Sequence, residues 1–457
     1  MKTINLRVNI HKIILPVITI ALMVFLGISD GVVWGGDTQG YLNMDIGREA
    51  GYSLFLHFFF LIFGETGFAQ AVVVFQLFLW GASLLILTGT IAKLWDLKAG
   101  STMIVWAIQV FFLLLLKYAS GLGAVYANTL LTEGITYPVY FLFFKTVLQL
   151  NREYSHKRMA ELLVYCSILT LIRTQLAVTF MAVVFFWFIK MLAGCFPVKR
   201  WLGLLLGCLA GAALVMGGQK LYTYVLYGMP QGTVGSGSFF MTSGLYNAVE
   251  EDENLYETKE DKELFRDLYE LSLQEKANYR FMDTGIFLPL SEHYSQNFDK
   301  IKFEVVSHYF YKYFTRSQNM DEVQIQIEMD RINRKLGLPL FLNHLGEKAE
   351  QFFQECLRGY MRTAAKGSIM FLIPVLIVYL VYLCALVCCF KGKERRAKDA
   401  GWSALFVMIV STGNIMLTAF MIFCEPRYVL YNMAPFYITG YLLVLEIYRK
   451  RKEENIR

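Results

Sequence analysis

The chain has 457 residues, 56% of them hydrophobic and 18% charged, with a mean hydropathy of +0.44. Soluble domains carry roughly a quarter charged residues, so a soluble enzyme, a disordered chain and a fibrous protein are excluded, and an all-α polytopic membrane protein is implied. The net charge of +6, from 43 basic and 37 acidic residues, forms no nucleic-acid-binding arm; the expected surroundings are a lipid bilayer.

A helix crosses the hydrocarbon core with about 20 apolar residues, and about ten stretches meet or approach that rule. In chain order they are Ile13 to Ile28, Gln70 to Ile91, Thr102 to Leu116, Ile135 to Leu150, a short pair at Leu162 to Ile172 and Ala177 to Met191, then Trp201 to Met216, Ser368 to Phe390, Trp402 to Phe423 and Met433 to Ile447. The first is followed by Ser29, Asp30 and Gly31, which is no clear cleavage site, so it reads as an uncleaved anchor. Tyr52 to Phe63 is too short to span and is expected to form a short helix at the outer surface. If Leu162 to Met191 is two spans joined at Arg173, the basic connections share one side: Lys2, Arg7 and Lys12; Lys93 and Lys98; Arg152, Lys157 and Arg158; Lys190, Lys199 and Arg200; Lys391 to Lys398; and Arg449 to Lys452. The positive-inside rule then predicts cytoplasmic termini in a plasma membrane, with a bacterial cell as the expected setting.

Three parts follow. Residues 1–227 form a membrane module whose first outer loop spans 30–65, residues 228–366 an extracytoplasmic, mostly helical insertion, and residues 367–457 a second membrane module. The insertion opens with a Gly/Ser stretch and then shows apolar spacings of three and four at Leu264, Leu268 and Leu271, at Val323, Ile327 and Met329, and at Phe352, Phe353, Leu357 and Tyr360, the pattern of amphipathic helices. It holds 22 acids and 16 bases, the wrong balance for binding an anionic surface. The eight cysteines show neither zinc nor disulfide spacing.

Ionisable groups gather at the outer ends of the spans, where such groups are costly and usually functional. They are Asp37, Asp45, Arg48 and Glu49 in the first loop, Lys117, Glu133, Arg173 and Lys220 at helix ends, and Glu425 with Arg427 before the last span. Carboxylates beside several cations suit a site that deprotonates a hydroxyl while neutralising a phosphate. Each also has a plainer reading: Asp37 as a solvated loop acid, Glu425 and Arg427 as a local ion pair, and Arg173 as a snorkelling hairpin residue.

In this order the residues resemble the GT-C superfamily of integral-membrane glycosyltransferases, which use polyprenyl-phosphate sugars and include protein mannosyltransferases and aminoarabinose transferases. Asp37, Thr38, Gln39, Gly40 and Tyr41 resemble its acidic residue followed four later by Tyr, and Arg48 to Phe55 with Phe63 and Gly64 resemble its Arg-Pro-Pro-x-Tyr-Pro-like entry into a short apolar helix. Thr132 and Glu133 resemble the acidic opening of its fourth helix, and Glu425, Pro426, Arg427 and Tyr428 with Pro435 its Glu-x-Arg-Tyr signature. The chain departs from the pattern where Thr38 replaces a second acid and where Glu49, Ala50 and Ser53 replace the prolines.

The resemblance implies a hexosyltransferase that moves a sugar, with inversion, from a polyprenyl-phosphate donor to a hydroxyl of a glycan, lipid or protein acceptor, in surface-glycan assembly or modification in the cell envelope. Asp37 would be the general base. Arg427 and Arg173 would stabilise the leaving phosphate, and Tyr41, Arg48, Glu133, Glu425 and Tyr428 would complete the substrate site. Arg48 could instead pair with Glu49 or Asp45, and Glu133 could orient a sugar hydroxyl, a second base or an arginine. A divalent Mg or Mn ion bridging Asp37 and phosphate is the possible cofactor. The alternatives are a surface-polysaccharide polymerase or ligase, and a lipid-linked glycan flippase or transporter. The latter usually places charges near the midplane, whereas these spans have almost purely apolar interiors.

Overall fold

The computed structural model describes residues 10–119, 121–230, 232, 234–317 and 320–455; Lys2 and Arg7 lie outside them. The described residues are helical apart from turns, loops and an isolated parallel bridge between Val33 and Thr129. The first half consists of α1 (Ile10–Asp30), the single turn α2 (Thr38–Leu42), α3 (Ala50–Trp95), α4 (Ala99–Ala119), α5 (Glu133–Arg152), α6 (His156–Ile172), α7 (Val178–Leu192) and α8 (Val198–Tyr227). The insertion holds α9 (Ser236–Asn247), α10 (Lys259–Gln274), α11 (Pro289–Asp299), a π-helical stretch (Lys300–Ser307), α12 (His308–Ser317), α13 (Glu322–Asn343) and α14 (Leu345–Ala364). The chain closes with α15 (Leu372–Lys391), α16 (Arg395–Met421) and α17 (Pro426–Glu454).

Among the described residues, eight helices are long and apolar enough to cross a membrane: α1, α3, α4, the Thr174–Leu192 segment that contains α7, α8, α15, α16 and α17. The protein is therefore an α-helical multi-pass membrane protein. The two further expected spans form α5 and α6, and α5 sits at the centre of the bundle against α3, α6, α16 and α17. Nearly all of its length is buried, so it faces protein rather than lipid and tolerates more polar side chains than an exposed span.

The short helix expected at Tyr52 to Phe63 forms the first limb of α3, and a kink at Gly64 (φ 67°, ψ 178°), where the backbone leaves helical geometry, separates it from the span that follows. A left-handed φ with extended ψ is open to glycine and costly for other residues. Span interiors are also less apolar than their composition implies. Gln76 of α3, fully buried, donates to the carbonyls of Ala127 (3.0 Å) and Thr129 (2.9 Å), and Trp80 Nε1 donates to the Gly134 carbonyl at 2.8 Å. Satisfying such groups internally is what membrane depth demands, and these bonds fix the loop that delivers Glu133.

The insertion has its own apolar core, with Leu264, Phe265, Leu268, Tyr294, Ile301, Phe310, Leu336 and Leu340 buried together. In α9 and α13 glycines let the backbones touch: a Cβ on Gly237 would lie 2.2 Å from the Asp330 carbonyl, and one on Gly337 2.4 Å from the Met241 nitrogen. The expected amphipathic stretches hold in part. Leu264 and Leu268 are buried, but in α13 Ile325, not Val323 or Ile327, faces the core. The Phe352 to Tyr360 pattern belongs to the membrane bundle: Phe352, Leu357 and Tyr360 pack on its core, Gly359 sits against Ile415 and Cys424, and the Tyr360 and Thr412 hydroxyls are 2.8 Å apart. α14 thus spans both units, and a boundary at residue 366 cuts no natural seam.

Basic connections meet at the end of the bundle away from the insertion. Arg152 pairs with Asp399, Lys190 donates to Asn151 Oδ1 at 2.7 Å, and Arg449 donates to the carbonyls of Trp95 (2.8 Å) and Asp96 (3.1 Å).

Candidate functional site

At the insertion-bearing end, four segments far apart in sequence bring their charges together. Asp37 occupies the N-cap position of α2. Its two carboxylate oxygens face Arg48 at 3.0 Å and Arg427 at 3.3 Å. Glu133, at the first turn of α5, has no exposed surface, and its Oε1 faces both Arg173 and the Nε of Arg427, the latter at 3.1 Å. Its other oxygen accepts from Thr132 Oγ1 at 3.1 Å. Two carboxylates and three guanidiniums therefore form one chain, Arg48, Asp37, Arg427, Glu133, Arg173, with Arg427 at the centre.

Local sequence explains each placement. Arg173 interrupts the helical run with extended backbone (φ −151°, ψ 108°), and the 3-10 turn Thr174–Ala177 that follows aims the chain back into the bundle. Gln175 fixes that turn, donating to Asn414 Oδ1 (2.7 Å), Thr418 Oγ1 (3.0 Å) and the Tyr428 carbonyl (3.0 Å). Pro426 opens α17 and sets Arg427 in its first turn, where the proline's missing N–H has no cost. The Tyr428 ring lies beside two guanidiniums, 5.1 Å from Arg173 and 5.3 Å from Arg427, and the Tyr41 ring lies 5.0 Å from Arg48. Aromatic faces attract cations, so both tyrosines of the sequence pattern hold arginines in place.

Several expected pairings differ. Arg427 does not pair with Glu425, whose side chain has no ion pair among the described residues; it pairs across the bundle with Asp37 and Glu133. Arg48 takes Asp37 rather than Glu49 or Asp45, because Glu49 accepts from Thr174 Oγ1 (3.1 Å) and its backbone N–H (3.3 Å). Arg173 is buried and ion-paired, not snorkelling. Lys117 pairs with Asp30, away from the chain of charges. Asp45 stands apart as well: burial, with Glu322 nearby, pushes its carboxyl up.

Burial would also push the Asp37 carboxyl up, but Arg48 and Arg427 outweigh it and hold Asp37 below the usual carboxylate range. From the insertion, Lys302 and Asp299 approach closely enough to couple with Asp37. Burial depresses the Lys302 ammonium, opposed by Asp299, and burial raises the Asp299 carboxyl, opposed by Lys302. Sequence reasoning missed both, since nothing in a solvated helical repeat marks which residue faces the membrane module. It also passed over Gln76 and Gln175, although a glutamine within an apolar run is itself a signal.

The donor set does not fit a divalent ion. Asp37 has both oxygens on guanidiniums, Glu133 is enclosed by Arg173 and the shared Arg427, and among the described residues no three His, Cys, Asp or Glu side chains converge. Oxygen-rich cages are what Mg-like ions require.

Beside this chain opens an apolar groove of about 900 Å³ between α6, α7 and α8. Its walls include Phe180, Phe188, Trp201, Leu205 and Leu209, and its upper rim is Glu49, Thr174, Gln219 and Lys220. Glu49 and Thr174 are the immediate neighbours of Arg48 and Arg173. Gln219 ties the rim to the loop, accepting from the Ala50 N–H at 2.9 Å and donating to the Arg48 carbonyl at 3.3 Å.

Compared with protein-family models and with characterised proteins, the chain matches none.

Proposed function

We propose that the protein is a membrane glycosyltransferase that uses a polyprenyl-phosphate sugar and acts at the outer face of a plasma membrane, with about ten crossings, α5 and α6 included, and both termini in the cytoplasm. One observation carries the reading: Asp37 is bracketed by Arg48 and Arg427, and the chain neighbours of Arg48 and Arg173, Glu49 and Thr174, form the rim of a long apolar groove. A hydrocarbon tail in the groove would deliver its phosphate past the rim toward Arg48 and Arg173, the chain neighbours of Glu49 and Thr174, whose guanidinium forks offer bidentate hydrogen bonds. The site's position at one end of the bundle favours this over a transporter, whose binding site lies near the midplane.

Without substrate, Asp37 is ionised but a poor base, because two cations stabilise its charge. Phosphate competes for the same guanidiniums. As Arg48 and Arg427 turn to the donor, Asp37 loses its counter-charges and becomes more basic where an acceptor hydroxyl arrives. The acceptor O–H proton passes to the Asp37 carboxylate, and the acceptor oxygen bonds to the anomeric carbon from the face opposite the phosphate. The bond from that carbon to the phosphate oxygen breaks, and polyprenyl phosphate departs with its charge held by Arg427 and Arg173. Glu133, fully buried between these arginines, is a positioning residue.

The test is release of polyprenyl phosphate by purified protein in nanodiscs supplied with a panel of polyprenyl-phosphate monosaccharides and an acceptor-containing membrane extract. Asp37→Asn is expected to lower turnover at least ~100-fold, the usual contribution of a general base, with the fold retained. Undiminished release from that variant removes Asp37 as base and favours a polymerase or ligase; no release with any donor from folded wild type favours a flippase.

A further inference from the structure

A second apolar groove, of about 620 Å³, runs along α4 and α17 toward the same end of the bundle. Ile104, Ile108, Phe111 and Met433 form its walls, and Arg362 and Lys366 stand at its rim. Its wall on α4, from Ile104 to Leu115, is about 16 Å long at the helical rise, enough to hold a stretch of hydrocarbon chain. Neither cation has an ion-pair partner among the described residues. Arg362 instead donates to the Cys424 carbonyl, three residues before Arg427, and Lys366 is exposed. Burial, with Arg358 nearby, pulls the Arg362 guanidinium down to about 10, and Glu355 and Glu425 offset this only in part.

Contrast sharpens this. The groove between α1 and α3 is of similar size, about 690 Å³, but has no ionisable residue in its lining, so hydrocarbon tails alone satisfy it. The groove on α6, α7 and α8 carries one acid and one base at its rim. Of these three grooves, among the described residues, the α4–α17 groove alone pairs an apolar body with two cations and no acid. Unpaired cations at the head of an apolar slot complement an amphiphile whose head is an anion.

We propose that the α4–α17 groove binds the acceptor, and that the acceptor is lipid-linked, with a phosphate or diphosphate between its hydrocarbon tail and the glycan that receives the sugar. The inference rests on the glycosyltransferase reading. Two tails then enter from different faces of the bundle, with the donor head at Arg48 and Arg173 and the acceptor head at Arg362 and Lys366. Arg427 lies between them, linked to the acceptor side through Cys424 and to the donor side through Asp37 and Glu133.

The test measures binding rather than turnover, so its failure is distinct from failure of the glycosyltransferase reading. A polyprenyl diphosphate carrying a photoreactive group in its tail is crosslinked to the full chain in zwitterionic nanodiscs, and the labelled peptides are mapped. Labelling is expected on α4 and α17, and it should fall at least fivefold in Lys366→Gln and further in Lys366→Gln combined with Arg362→Gln. Asp37→Asn should leave it unchanged. Ala107→Trp, which fills the groove without touching a charge, should also abolish it. Lys366 is exposed, so its variant keeps the test valid if the double variant does not fold. Equal labelling by the neutral polyprenol, or labelling indifferent to Lys366→Gln, overturns the proposal. So does loss of labelling when the nanodiscs contain phosphatidylglycerol, which would make the groove a site for ordinary anionic phospholipid.

Discussion

Glu133 has no contact with solvent, yet it touches two of the three guanidiniums. Removing one partner from a buried, hydrogen-bonded charge cluster typically costs about 3–5 kcal/mol. Glu133→Gln should therefore lower both thermal stability and turnover, whereas Asp37→Asn, on a side chain about a third exposed (32%), should lower turnover and leave the unfolding midpoint nearly unchanged. Thermal unfolding in detergent separates the two roles, and an unaltered midpoint in Glu133→Gln would contradict the positioning role. The pH dependence follows from the sign of the Asp37 shift. Its carboxyl is held below the ordinary value near ~3.9. Its ion pairs thus contribute in full above that ordinary value and are lost only as pH falls through the lower folded-state value. The acid limb of kcat/KM, which reports the free protein, should lie below pH ~4 and move upward in Arg48→Gln. A limb that does not move in that variant belongs to another group.

At the scale of elements, close backbone contacts decide how α3, α5 and α6 present these residues. A Cβ on Gly51 would lie 2.7 Å from the Leu171 carbonyl, two residues before Arg173. Gly51→Ala should push α3 and the end of α6 apart and displace Arg48 and Arg173 together; misplacement by about 1 Å can cost ~100-fold in rate, so a loss of at least ~10-fold in kcat is expected from a folded variant. Gly64 offers the opposite case. No heavy atom lies within 4 Å of its added Cβ, so Gly64→Ala tests backbone strain alone, of order 1–3 kcal/mol, and should appear in the unfolding midpoint without a steric component. The sequence made most of these helices legible, because apolar length alone reveals a span. It also placed the end of the first short helix at Phe63 and Gly64, because glycine within an apolar run reads as the end of a helix, and Gly64 is where α3 kinks. It did not reveal the partners of Arg48 and Arg427. Near neighbours in sequence, Glu49 and Glu425, were the natural choices, and the actual partner, Asp37, lies 390 residues from Arg427.

For the whole molecule, the separation of grooves makes a distinct prediction. Ala212→Trp, placed in the wall of the α6–α7–α8 groove, should raise KM for long-chain polyprenyl donors and leave a short-chain analogue little affected; a uniform change for both would remove the groove from donor binding. The sequence anticipated an insertion over residues 228–366; its apolar cluster also takes in Phe423, with Ile422 and Tyr428 packed on it, and its last helix packs on the membrane bundle. α14 holds the residue ahead of the Glu425–Arg427 segment by both of its backbone polar groups: Glu355 accepts from the Cys424 N–H at 2.7 Å, and Arg362 donates to the Cys424 carbonyl. Residues 236–364 produced as a fragment would carry Phe352, Leu357, Tyr360 and Met361 without the bundle that covers them. Such a fragment should behave as a surfactant-seeking peptide rather than a soluble module, and retrieving it from water in native form will require stopping the chain before α14 or bringing the bundle along.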